Sequence, residues 1–153
     1  MIKLLAYSLA ISICLQLLQI EITSTEINSN KQCKHNNTFD SILTVDIDSR
    51  GRFKYILIKL EDKESGRVKY LVHGNSMSFY HSEILDKFLN TLTNKNLKVT
   101  CVGGGRIVHN PDTKSIEVFG TSYAYGRADH NITKQILAKK YMDYNIKWSN
   151  DGY

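Results

Sequence analysis

The sequence predicts an α/β protein of the α+β type: one mixed sheet of about six strands, flanked by two main helices, in a single small domain. Three observations carry that reading. Phe53–Leu60 (FKYILIKL) is largely apolar on both of its alternating faces, so both faces need covering, as in a central strand. Two stretches carry a helical stripe of apolar residues. The remainder reads as short strand-forming runs separated by Gly, Asn, Asp and Pro turn signals.

The elements follow in order. Val45-Asp46-Ile47 starts a strand and Asp48-Ser49-Arg50-Gly51 turns the chain. Phe53–Leu60 is the central strand, and Lys54 opens a face of it that otherwise reads as buried. A Lys there either snorkels at the strand end or aims a cation into a site. Glu61 to Gly66 turn, and Val68 to Val72 form the next strand. Ser78 reads as an N-cap for a helix whose stripe is Ile84, Leu85, Phe88, Leu89 and Leu92. His81 falls on that stripe in the first turn, by pattern alone an ordinary inward-facing residue. Lys98 to Val102 form a strand that runs through Gly103-Gly104-Gly105-Arg106 into Ile107-Val108. Three glycines permit positive φ or close backbone approach, but they match neither a dinucleotide fingerprint nor a Walker motif. Asn110-Pro111-Asp112 closes a hairpin with Ser115 to Gly120. Thr121 to Gly126 is a turn able to present several backbone N–H groups to an anion. A second helix spans about Asn131 to Tyr141, with Ile132, Ile136 and Leu137 inward, and Asn145 to Trp148 is the last strand.

The chain has 153 residues, enough for this domain (42–153) plus an appendage. Residues 1–24 read as a signal peptide or signal anchor: a single Lys, then no charge from Leu4 to Ile20, slightly short of the roughly 20 residues of a membrane span. The expectation is therefore the secretory pathway, with no stable membrane span once the leader is cleaved, and the cytoplasm if the leader does not function. Residues 25–41 are polar and aperiodic, a linker. The sequons at Asn36 and Asn131 matter only if the leader works. With Cys14 in the leader, Cys33 and Cys101 remain, either paired in an oxidising compartment or unrelated. No CxxC or Cys/His pair has zinc-ligand spacing.

The net charge of +5 favours anionic partners. The excess is spread along the chain without a clustered stripe, which argues against nucleic acid.

Several segments together carry a resemblance. They are Val45-Asp46-Ile47-Asp48-Ser49, Phe53-Lys54-Tyr55, Tyr80-His81, Gly103-Gly104-Gly105-Arg106-Ile107, Ser122 with Ala124-Tyr125-Gly126, and the ending Trp148-Ser149-Asn150-Asp151-Gly152-Tyr153. In this order, over residues 43–153, the chain resembles the protein histidine phosphatases of the Janus family. The resemblance implies a mixed six-stranded sheet with two main helices. It also implies a monomeric hydrolase that removes phosphate from phosphohistidine, and by extension phospholysine, in proteins without metal or cofactor. By position it places the catalytic histidine on His81 and the substrate-binding lysine on Lys54. The phosphate cradle falls on Ser122, Tyr123 and Ala124, with Arg106 at the same site. His73 stands where the vertebrate-like enzymes carry Arg, which removes a fixed positive charge and leaves His73 an accessory position. Phosphoryl transfer is mostly positioning and charge stabilisation, so these residues suffice for it. A helix start favours neutral imidazole, the form in which His81 serves as general base or nucleophile. Two other readings compete: a catalytically weak family-derived module that holds phosphorylated or acidic proteins, and a polyanion binder, which lacks a stacking-aromatic motif.

Overall fold

The computed structural model describes residues 38–152. The leader, most of the linker, Cys33 and the sequon at Asn36 lie outside the described residues. The chain forms β1 (Val45–Ile47), β2 (Gly51–Asp62), β3 (Val68–Asn75), α1 (His81–Thr91), β4 (Leu97–Asn110), β5 (Ser115–Phe119), α2 (His130–Lys140) and β6 (Asn145–Trp148). The strands make one six-stranded sheet in the order β1-β3-β2-β4-β5-β6. The two outermost pairings, β1 with β3 and β5 with β6, are parallel, and the three inner pairings are antiparallel. This is the mixed sheet with two helices that the sequence predicts. No helix among the described residues is long and apolar enough to cross a membrane.

The two apolar faces of β2 build two cores. Phe53, Tyr55 and Leu57 pack with Ile107, Val118 and Leu137, so α2 covers that face. Ile56, Ile58 and Leu60 pack with Leu71, Ile84 and Phe88, so α1 covers the other. Phe39, within the segment expected as linker, is buried in this second core. Each fully buried aliphatic side chain contributes roughly 1.5–3 kcal/mol. A polar substitution anywhere in Ile56–Ile58, where every residue is at most 1% exposed, therefore strikes a core.

The helix ends differ from expectation. Ser78 is not the cap of α1; the N-cap is Tyr80, which makes no side-chain cap bond. The Ser78 hydroxyl instead accepts from Lys87 Nζ at 3.0 Å. The role of the cap passes to Glu83, whose carboxylate accepts from the Phe79 N–H at 2.8 Å, so the helix starts three residues after Ser78. At the other end Leu92 has left the helix and Leu89 is 42% exposed, so the buried stripe is His81, Ile84 and Phe88. α2 starts at His130 with Asp129 as its cap, the carboxylate accepting from Asn131 N and Ile132 N.

A bulge in β4 sets the geometry of everything near it. Leu57 pairs with Gly103 but Ile58 pairs with Cys101, leaving Val102 as the extra residue. Gly103 takes φ +144, and a Cβ there would lie 2.6 Å from the Ala128 backbone. Side chains alternate along a strand, so one extra residue reverses which face the rest occupies. Val99 and Cys101 lie on the α1 face. Without the bulge Ile107 would follow them; with it, Ile107 joins the α2-side core and Arg106 takes the α1 face.

Candidate active site

Lys54 and Arg106 are direct cross-strand partners on β2 and β4, so their side chains leave the sheet on the same face, the one covered by α1. Among the described residues neither forms an ion pair. Two adjacent half-buried cations without a carboxylate form a standing attraction for an anion.

His81 is the first residue of α1 and is 9% exposed. Its Nε2 lies 3.0 Å from the Gly105 carbonyl oxygen. A carbonyl only accepts, so Nε2 carries the hydrogen and the neutral ring keeps its lone pair on Nδ1. The imidazole pKa lies below the ordinary histidine value. Burial is the largest cause, and the charges of Lys54 and Arg106 push the same way, against the opposing bond to Gly105. The helix N-terminus adds to this preference for the neutral ring.

Gly104 explains why the ring fits. A Cβ on Gly104 would lie 2.8 Å from His81 Cδ2, 2.8 Å from the Tyr55 carbonyl oxygen and 3.0 Å from Ser122 Cβ. His81 and Ser122 therefore meet over the same bare Cα. The loop after β5 is tied there by backbone bonds from Gly104 N to Gly126 O (3.0 Å) and from Ala128 N to Gly104 O (3.1 Å).

Within that loop Ser122 N and Gly126 N each donate to the other residue's carbonyl, and Tyr125 N donates to Ser122 Oγ at 3.3 Å. The N–H groups of Tyr123 and Ala124 have no acceptor among the described residues. The turn thus leaves two adjacent N–H groups next to Ser122, which meets His81 over Gly104; paired donors of this kind can hold an oxyanion.

The structure brings together Lys54, His81, Arg106, Ser122, Tyr123 and Ala124. His73 lies apart. Its Nε2 donates to the Leu43 carbonyl at 3.3 Å, its ring meets Phe88 edge-on at 4.8 Å, and it lines a cavity of about 420 Å³ between β1, β3 and α1. Gly104 and Gly105 escape the sequence reading as site residues: one clears space for the ring and the other fixes its tautomer. The triple glycine was the available signal, but sequence could not show which glycine does which. His109 and His130 are buried; Nδ1 of His109 donates to the Asp48 carbonyl, and His130 bridges Tyr55 Oη and the Gly120 carbonyl. Cys101 carries a half-buried thiol whose pKa burial pushes up. Among the described residues no three His, Cys, Asp or Glu side chains converge as metal ligands.

The profile of the Janus/Ocnus family matches residues 39–145. The chain is 40% identical over 114 residues to the 14 kDa phosphohistidine phosphatase of Sus scrofa, covering 71% of this chain and 90% of that protein. It is 40% identical over 114 residues to the Homo sapiens protein of the same name, covering 71% and 91%. It is 42% identical over 113 residues to the sex-regulated protein janus-A of Drosophila pseudoobscura pseudoobscura, covering 71% and 76%.

Proposed function

The chain belongs to the Janus/Ocnus family, and from that premise we propose that it is a metal-independent protein phosphatase acting on phosphohistidine, with His81 as its catalytic residue. The observation that carries this is the His81 imidazole itself, its pKa lowered by burial, held through Nε2–H on the Gly105 carbonyl with its lone pair on Nδ1. It lies near Lys54 and Arg106, neither of which forms an ion pair among the described residues.

The phosphoryl oxygens rest on the Lys54 ammonium, the Arg106 guanidinium and the N–H groups of Tyr123 and Ala124. The substrate imidazole enters protonated on its other ring nitrogen, so as the P–N bond breaks it leaves as a neutral ring, and the transferred group's charge spreads over its oxygens, where these donors stabilise it. His81 Nδ1 acts in one of two ways. As general base it takes a proton from the attacking water; as nucleophile it bonds to phosphorus and is released by water in a second step. Both routes end in orthophosphate and free histidine, and both use the same atom.

The test is turnover of a phosphohistidine peptide in EDTA by wild type and by His81→Ala. Wild type is expected to hydrolyse it, and the variant to lose at least about 10²–10⁴ in rate. Binding without turnover in the wild type would instead support the non-catalytic phosphoprotein-holding module.

A further inference from the structure

Ten large hydrophobic side chains are exposed among the described residues. Six of them sit singly on six different segments, as on any protein surface. The other four lie on two short loops that both end at the candidate site. Met77 (79% exposed), Phe79 (80%) and Tyr80 (69%) immediately precede His81; Tyr123 (103%) immediately follows Ser122.

The backbone arranges this deliberately. Ser78 is 4% exposed and held by Lys87, so the flanking Met77 and Phe79 turn outward. The Phe79 N–H is fixed on Glu83, which holds that outward conformation against α1. Ser122 is likewise turned in, 2% exposed, with Tyr123 projecting from the turn tip. His81 and Ser122 both lie within 3.0 Å of one point above Gly104, so the two apolar loops flank a single spot. Neither loop packs these side chains on the protein's own core. Aromatic side chains each have about 150–250 Å² to bury when something covers them.

We infer that Met77, Phe79, Tyr80 and Tyr123 form a docking platform for the substrate's polypeptide, selecting phosphohistidine flanked by large apolar residues. The inference rests on the phosphatase reading. A phosphoryl group held by Lys54, Arg106 and the turn N–H groups places the residues before and after it over these two loops. The cations complement the phosphate, and the apolar loops complement what lies on either side. A free amino acid or small phosphoramidate reaches the cations but not the platform.

The experiment compares imidazole phosphate with two phosphohistidine peptides of equal length and charge, one flanked by Leu and Phe, the other by Gly and Ser. Wild type is expected to show a KM at least tenfold lower for the apolar peptide. Met77→Ser/Phe79→Ser should reduce that ratio to near one while leaving turnover of imidazole phosphate unchanged. Equal KM values in the wild type, or a preference that survives the double variant, would overturn the platform. If wild type turns over none of the three, the phosphatase reading fails separately. The platform is then judged by fluorescence anisotropy with the same peptide pair carrying a hydrolysis-resistant phosphohistidine analogue: an apolar preference lost in the double variant supports it, and equal binding sinks it. Concentration-dependent dimerisation abolished by the double variant would assign the patch to a second copy of the chain, also against the proposal.

Discussion

A single carbonyl decides how His81 works. In the sequence this residue was legible as inward-facing and, through the family motifs, as a candidate centre, but its tautomer was not. That depends on Gly105, 24 positions away, whose carbonyl takes the Nε2 hydrogen. Lys54 was legible as an oddity on a buried face, whereas its pairing with Arg106 required the register of β2 on β4. The electrostatics yield a directional expectation. The folded His81 pKa lies below the ordinary value of about 6.5, so the acid limb of kcat/KM should have its midpoint below that value. Arg106→Ala removes a nearby positive charge, so protonation becomes easier and the midpoint should move up. A pH–rate series on the two proteins checks this; a midpoint that stays put or moves down would remove Arg106 from the ring's surroundings.

Among the elements, strands and helices were readable wherever burial enforces a period. β2 announces itself by apolar residues on both faces, and α2 by its inward Leu137. Helix starts were harder, because any nearby Ser, Asp or Glu competes for the first N–H groups. At α1 the carboxylate of Glu83 does what the Ser78 hydroxyl was expected to do. At α2 the cap is Asp129, bonded at 2.9 and 3.0 Å to two N–H groups. Asp129→Ala should cost about 0.5–2 kcal/mol, measured as a lower denaturation midpoint at constant m-value. The same helix holds the sequon at Asn131, whose Thr133 is 0% exposed and donates from Oγ1 to the Asp129 carbonyl. The folded domain therefore seals half of that sequon inside.

For the molecule as a whole, length and the count of strand signals were enough for the fold class, while strand order came only from long-range pairing. Both sheet edges are short, of three and four residues, and Lys140 Nζ donates to the Val45 carbonyl on one of them. These features discourage edge-to-edge association. Global stability should depend on three histidines. His73, His81 and His130 are 8%, 9% and 1% exposed, and burial is the first cause lowering each pKa. On acidification the unfolded chain therefore takes up protons before the folded one does. The stability these groups contribute is complete above about pH 6.5 and is lost as the pH falls from there through the depressed folded values. Thermal melts between pH 8 and pH 5 should show Tm falling below about 6.5; a flat profile across that range would contradict the burial argument.

The extra residue at Val102 makes the site a matter of counting as well as of chemistry. The three glycines after it leave no room for a Cβ, whereas the Val102 side chain itself is partly exposed and can be exchanged in place. Deleting Val102 changes no functional group, yet it forces a choice along the rest of β4. Either Arg106 stays beside Lys54 and Leu97–Cys101 slip by one residue against β2, or Leu97–Cys101 hold and Arg106 trades faces with Ile107. Loss of the proposed phosphohydrolase activity with all six candidate site residues intact is the expected result. In this fold, position 102 should therefore tolerate substitution far better than a gap.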